Sequence, residues 1–327
     1  MNDRFNCKIL KSSDSNVFKF VFTKTDVAVE AVLYRYKSFA ERTVICCSTQ
    51  CGCPVGCSFC GTGRGFVRNL TSDEIVDQIQ QVMKIVETDC PANDIKKFQI
   101  MFMSMGEPFL NYGNLKAAIS DLYSQYPTAQ LLVSTSAPAV MSRDDELFLD
   151  FCRLSVLIPK IGIQFSVHES TDEARRRLIP TPTCSLVEIA DLGRTWARGT
   201  WRKPFYNYCV HAGNSSDADV DRLIATFDPG IWETTLSVIC EKNETMKASH
   251  ERQIPLIEDF SRRLVARGAS VRIFNPAGQD DIGGGCGQLW FFQKWLREHN
   301  TKTQGGASRP LQIRQVPWAK ESKTNNN

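Results

Sequence analysis

CGCPVGCSFCGTG (residues 51–63) places Cys53, Cys57 and Cys60 at a CxxxCxxC spacing, directly after the apolar run TVICCS (43–48). Three thiolates can grip three irons of a four-iron cluster and leave the fourth iron open to a substrate or cofactor. Soft thiolate ligands suit such clusters. A closed structural zinc site wants a fourth ligand, and Cys51 stands ready to supply one. From spacing alone, a zinc knuckle therefore remains beside the open cluster.

Outward from this stretch, short apolar runs alternate with helix-period segments. After TVICCS come FQIMFMS (98–104), LLVSTS (131–136), IGIQFSV (161–167), FYNYCV (205–210) and TLSVIC (235–240), with SVRIF (270–274) following. Residues 72–87 carry Ile75, Ile79, Met83 and Val86 on one stripe, opened by Thr71 and Glu74 as a capping box. Residues 114–124 bury Leu115, Ala118, Ile119 and Leu122 in the same way. Strand–helix alternation of this kind implies an α/β fold with a parallel sheet covered by helices. Six such units point to a partial (β/α)6 barrel. The cysteine cluster, MGEP (105–108), STS (134–136) and SVH (166–168) then fall at the C-terminal ends of successive strands, where such barrels keep their chemistry.

Before the barrel, VFKFVF and VEAVLY alternate around TKTD and predict a hairpin within residues 17–36. The expected division is an N-terminal hairpin extension over 1–42, the barrel over 43–300, and a flexible tail over 301–327. The 327 residues carry a formal net charge of +3, which neither demands nor opposes a nucleic-acid partner. No apolar run reaches the roughly 20 residues a membrane helix needs, and the first residues lack a secretory core. A soluble, cytoplasmic monomer is expected. Six of the thirteen cysteines crowd between Cys46 and Cys60, a distribution that favours metal or redox chemistry over scattered disulfides.

CxxxCxxC after a first strand, with Phe59 before the last cysteine and MGEP after the second strand, resembles the radical S-adenosylmethionine (SAM) superfamily. The set CCSTQCGCPVGCSFCGTGRGFVRNLTSDEI, MFMSMGEPFLN, LLVSTS, FSVH and DDIGGGCGQL resembles, more narrowly, the RlmN/Cfr family, which methylates carbon 2 or carbon 8 of adenosine in RNA. The resemblance implies a [4Fe-4S] cluster on Cys53, Cys57 and Cys60 with SAM chelated at its open iron. It implies that Cys286, in GGGCGQL, takes a methyl group and carries it to the base, and that Cys46 resolves the protein–RNA adduct by forming a transient disulfide. Glu30, in VEAVL, matches the proton acceptor, although its spacing to Cys46 is about three residues longer than usual in the family. Gly106, Glu107, Ser134, Ser166, Val167 and His168 match the SAM contacts. A further contact falls on Lys242 by strict alignment and on Asn243 one place away, and Asn243 is preferred.

Bland alternatives stand beside these roles. Cys286 could be a buried small side chain, Glu30 an exposed strand residue, and His168 a satisfied strand-end histidine. The implied partners are an RNA substrate (rRNA or tRNA) and a flavodoxin- or ferredoxin-type electron donor. The family's N-terminal helical accessory domain is expected to be lacking, which leaves RNA to be gripped elsewhere. EARRRLIP (173–180) and RTWARGTWRK (194–203) are candidate contacts, or else helix ends with a solvated basic face. Other readings are the same relay on a non-ribosomal or non-RNA substrate, and a non-catalytic zinc or iron–sulfur module.

Overall fold

A computed structural model describes residues 5–62, 65–239, 246–274, 282–283 and 294. The chain opens with β1 (Asn6–Lys11), β2 (Val17–Thr23) and β3 (Ala28–Arg35), followed by β4 (Thr43–Cys47). A short ribbon, β5 (Gln50–Gly52) and β6 (Phe66–Asn69), brackets the cysteine loop. Then α1 (Ser72–Val86), β7 (Phe98–Phe102), α2 (Tyr112–Gln125) and β8 (Gln130–Thr135) alternate. The short α3 (Val140–Arg143) and α4 (Asp145–Leu157) lead to β9 (Ile161–Ser166). After it come α5 (Asp172–Leu178), α6 (Leu186–Thr200), β10 (Phe205–Cys209) and α7 (Asp217–Thr226). The described elements close with β11 (Glu233–Ser237), α8 (Met246–Ala266) and β12 (Ser270–Phe274).

All strands except the ribbon form one sheet in the order β1-β2-β3-β4-β7-β8-β9-β10-β11-β12. From β4 to β12 every pairing is parallel, while β1 to β4 pair antiparallel. The expected strands are therefore all present, and the SVRIF run adds one more parallel strand beyond the sixth. The expected hairpin is β2–β3, and it extends the same sheet. The outer strand β1 was not foreseen, because its NCKILK run is mostly exposed and has no clean alternation.

The strands are two-faced. Ile45, Cys47, Ile100, Phe102, Leu131, Val133, Ile163 and Phe165 point outward into the main core, where α1 adds Ile75, Ile79, Val82 and Met83. The capping box at Thr71 and Glu74 is present. The opposite face carries Cys46, Met103, Ser134, Gln164, Asn207, Thr235 and Ser237, and it lines a cavity. Sheet curvature brings Tyr34 on β3 and Phe274 on β12 to the same cavity, as in a partial barrel.

Helix α6 lies so close to the barrel that a Cβ on Gly193 would overlap the indole of buried Trp232. Gly193→Ala should therefore destabilise the fold by about 1–3 kcal/mol, the usual cost of overpacking. Denaturant titration measures this, and an unchanged midpoint would show that the helix can shift away at little cost.

Candidate active site

The cavity encloses about 1400 Å³ between its atoms, counting the part open to solvent. Cys53, Cys57 and Cys60 line it together with Cys46, Gly106, Glu107, Ser134, Ser166 and His168. The loop that carries the three thiols is held at several points. Cys53 N donates to Gly65 O at 3.1 Å, Ser58 N donates to Leu178 O at 2.8 Å, and Thr181 Oγ1 donates to Val55 O at 2.7 Å.

Burial, reinforced by neighbouring Cys60, pushes the Cys53 thiol up to about 12 and raises Cys57 well above its ordinary value. Thiols in such a place stay protonated until a cation draws the proton off. Cys51 does not join them. It is buried on β5, where its sulfur sits 3.4 Å from both Ala28 N and Ala28 O. The fourth ligand of a zinc knuckle is thus turned into the core. Among the described residues no three His, Cys, Asp or Glu side chains converge on a single-ion site. Three thiols on one cavity-lining loop suit the three-thiolate ligation of a cluster with an open iron.

Gly106 and Glu107 follow β7. Gly106 has φ +99°, and a Cβ there would lie 2.7 Å from the Gln50 side chain and 2.8 Å from its backbone nitrogen. Only glycine allows this approach without displacing β5. Gln50 Oε1 in turn accepts from Glu107 N at 2.8 Å. The Glu107 carboxylate accepts from Thr135 Oγ1 at 2.6 Å, and from Ser136 N and Ser136 Oγ at 2.7 Å each. Burial raises its pKa, while these donors favour the charged form. A buried carboxylate facing a cavity suits an ammonium group.

His168 ends the fourth parallel strand with φ +60° and 4% exposure. Its Nδ1 is a buried atom without a hydrogen-bond partner. Burial, helped by Arg175, lowers its pKa to about 3, so the ring is neutral. A satisfied strand-end histidine would have a partner; this one keeps an atom to offer a ligand. Phe59, from the cysteine loop, meets the ring edge-on at 5.1 Å between centroids. Val167 differs from its neighbours. Its side chain packs in the core, and its N–H donates to Asn207 O at 3.0 Å.

Alternation on β4 separates the adjacent cysteines: Cys46 lines the cavity, whereas Cys47 is fully buried in the core. Glu30 is not exposed. It is buried on β3 and ion-paired with the buried Lys19 of β2, whose Nζ also donates to Gly283 O at 2.8 Å. Gly283 itself lines the cavity. Asn243, Lys242 and Cys286 lie outside the described residues, as does the 301–327 tail.

The two basic clusters are corrected in part, at Arg175, Trp196 and Arg202, whereas Arg176, Arg177, Arg198 and Trp201 are exposed. Arg175 is 2% exposed and donates to Ser136 O, Ser166 O, Cys184 O and Thr183 Oγ1, tying together the ends of β8 and β9. Trp196 is buried against Phe151, and Arg202 binds the carbonyls of Ser155, Pro159 and Ile161. The 194–203 stretch also ends where β10 begins, at the end of the barrel opposite the cysteine loop. Missed from sequence were Gln50, Ser136, Gln164, Asn207, Cys209 and Ser237. Polar residues at alternate positions within apparently apolar runs were the available signal for the strand members among them.

An open parallel barrel, three thiols after its first strand and a buried glutamate after its second define the radical SAM class. In keeping with this, a radical SAM methyltransferase from Sphaerobacter thermophilus has a similar structure, with a TM-score of 0.70 and 26% identity over 87% of this chain and 81% of that one. A probable RNA methyltransferase of Rhodopirellula baltica is 29% identical over 97% of this chain and 83% of its own length. A probable dual-specificity RNA methyltransferase RlmN of a Parafrankia species is 30% identical over 83% of this chain and 71% of its own. No protein-family model matches the chain. The chain belongs to the RlmN family of SAM-dependent RNA methyltransferases.

Proposed function

We propose that the protein methylates an sp2 carbon, carbon 2 or carbon 8, of an adenosine in rRNA or tRNA by a two-cysteine relay. Cys53, Cys57 and Cys60 would hold a [4Fe-4S] cluster, and Gly106, Glu107, Ser134, Ser166, Val167, His168 and Asn243 would hold SAM. When bound and reduced by a flavodoxin- or ferredoxin-type donor, these groups would supply a methyl group and a 5′-deoxyadenosyl radical.

The chain's own residues do the rest. Cys286 accepts the methyl group at sulfur as a nucleophile. After losing a hydrogen atom, its methylene carbon adds to the adenine ring. Glu30 takes the proton from the substituted carbon, and rearomatisation gives up one electron, which would return to the oxidised cluster and balance the one spent on cleaving SAM. Cys46 then attacks the Cys286 sulfur, and the resulting disulfide releases the methylated base. The adenine must leave its stack to reach the cavity, which favours an unpaired or flipped base.

One observation carries this reading. Cys46, the cluster thiols and Gly283, three residues before Cys286, line the same cavity. The test is mass spectrometry of nucleosides from cells with and without the protein, repeated with reconstituted enzyme on purified rRNA and tRNA. Loss of a carbon-methylated adenosine from one RNA class in the deletion, and its return in vitro, is expected. Identical nucleoside profiles, with no product in vitro, would overturn the proposal.

A further inference from the structure

Lys19 is fully buried, an expensive place for an ammonium unless anionic and carbonyl partners surround it. It has both kinds, in the Glu30 carboxylate and Gly283 O. The strand that supplies Glu30 is fastened from the other side as well, because Ser48 Oγ and Ser104 Oγ each donate to Glu30 O at 2.7 Å. Next to this knot, Ile282 joins the apolar cluster of Val17, Val32, Tyr34, Val44, Met101 and Leu132. Gly283, at φ +66°, turns the chain in a way other residues rarely can. Residues 282 and 283 are thus docked on the hairpin by one apolar contact and one charged hydrogen bond.

We propose that Lys19 is a positioning residue for the methyl relay. A single side chain pairs with Glu30 on the hairpin and anchors the chain at the cavity-lining Gly283, three residues before Cys286. The role rests on the relay described above. It ties the two halves of the reaction to one group. The proton acceptor and the carrier segment share Lys19.

Lys19→Met alone would remove the cation paired with a buried acidic side chain, so the informative comparison is Glu30→Gln against the double variant Lys19→Met/Glu30→Gln, which removes both members of the pair. Each is reconstituted and matched for iron content. Peptide mass spectrometry then follows methylation of Cys286, which precedes the removal of a proton from the base adduct and does not call on Glu30 for it. Glu30→Gln should lose the adenosine product yet still acquire the methyl group on Cys286. The double variant should acquire it roughly 10- to 100-fold more slowly, the scale of a lost hydrogen bond to a charged donor. Its reductive cleavage of SAM to 5′-deoxyadenosine should stay within about twofold of Glu30→Gln, because that step needs no carrier segment.

Equal rates of Cys286 methylation in the two variants would overturn the role of Lys19. So would a parallel collapse of SAM cleavage, which would make Lys19 a general support of the barrel. A wild-type enzyme that makes methyladenosine without ever carrying a methyl group on Cys286 would instead sink the relay, and the Lys19 assignment with it.

Discussion

Cys46→Ala should turn the enzyme into one that remains attached to its RNA. With no thiol left to attack the Cys286 sulfur, the adduct has no route to release, and catalysis stops after one turnover. Multiple-turnover methylation should fall roughly 10³-fold or more, the scale on which loss of a nucleophile acts. A denaturing gel with labelled RNA should show a protein-linked band, and digestion should place the crosslink on Cys286. The neighbouring thiol provides the control. Cys47 faces the core, where burial raises its pKa, so Cys47→Ala should leave release intact at a modest packing cost. Normal turnover by Cys46→Ala, or a trapped adduct in Cys47→Ala, would mean that the resolving thiol has been misassigned.

The second large effect concerns the triad. Cys57→Ala should yield a colourless protein after anaerobic reconstitution, with SAM cleavage at background, because two thiols cannot hold a cluster that three were placed to hold. Cys51→Ala should behave otherwise. Its sulfur is buried in the core against the Ala28 backbone, so iron content and SAM cleavage should persist, with stability reduced by about 1 kcal/mol. Iron and zinc analysis of both variants decides the matter. If Cys51→Ala loses metal as completely as Cys57→Ala, the four-ligand zinc reading returns.

Much of this architecture could be read along the chain. The α1 stripe with its capping box, the apolar runs at regular intervals and the punctuation of CxxxCxxC and MGEP are local signals. Each depends on residues within one turn or one strand of each other, which is why they survive without tertiary information. The edge strand β1 and the β5–β6 ribbon are short or exposed, and they take their order from neighbours far away in sequence. Polar residues inside the strands were passed over for the same reason. Gln164 in IGIQFS and Asn207 in FYNYC look like interruptions until the sheet curves and gives them a cavity to face.

Residue type and spacing alone determined that three thiols stand at CxxxCxxC after the first barrel strand, that a glutamate follows the second, and that a separate cysteine sits among glycines. The tertiary structure decided which way each side chain points. It set Cys46 in the cavity and Cys47 in the core, and buried Cys51 against the Ala28 backbone and Arg175 among carbonyls where the sequence offered a basic surface. It also joined Lys19, Glu30 and Gly283, which lie up to 264 positions apart. Charge and burial balance only between groups that meet in the folded chain, so no local pattern in the sequence could have announced that pairing.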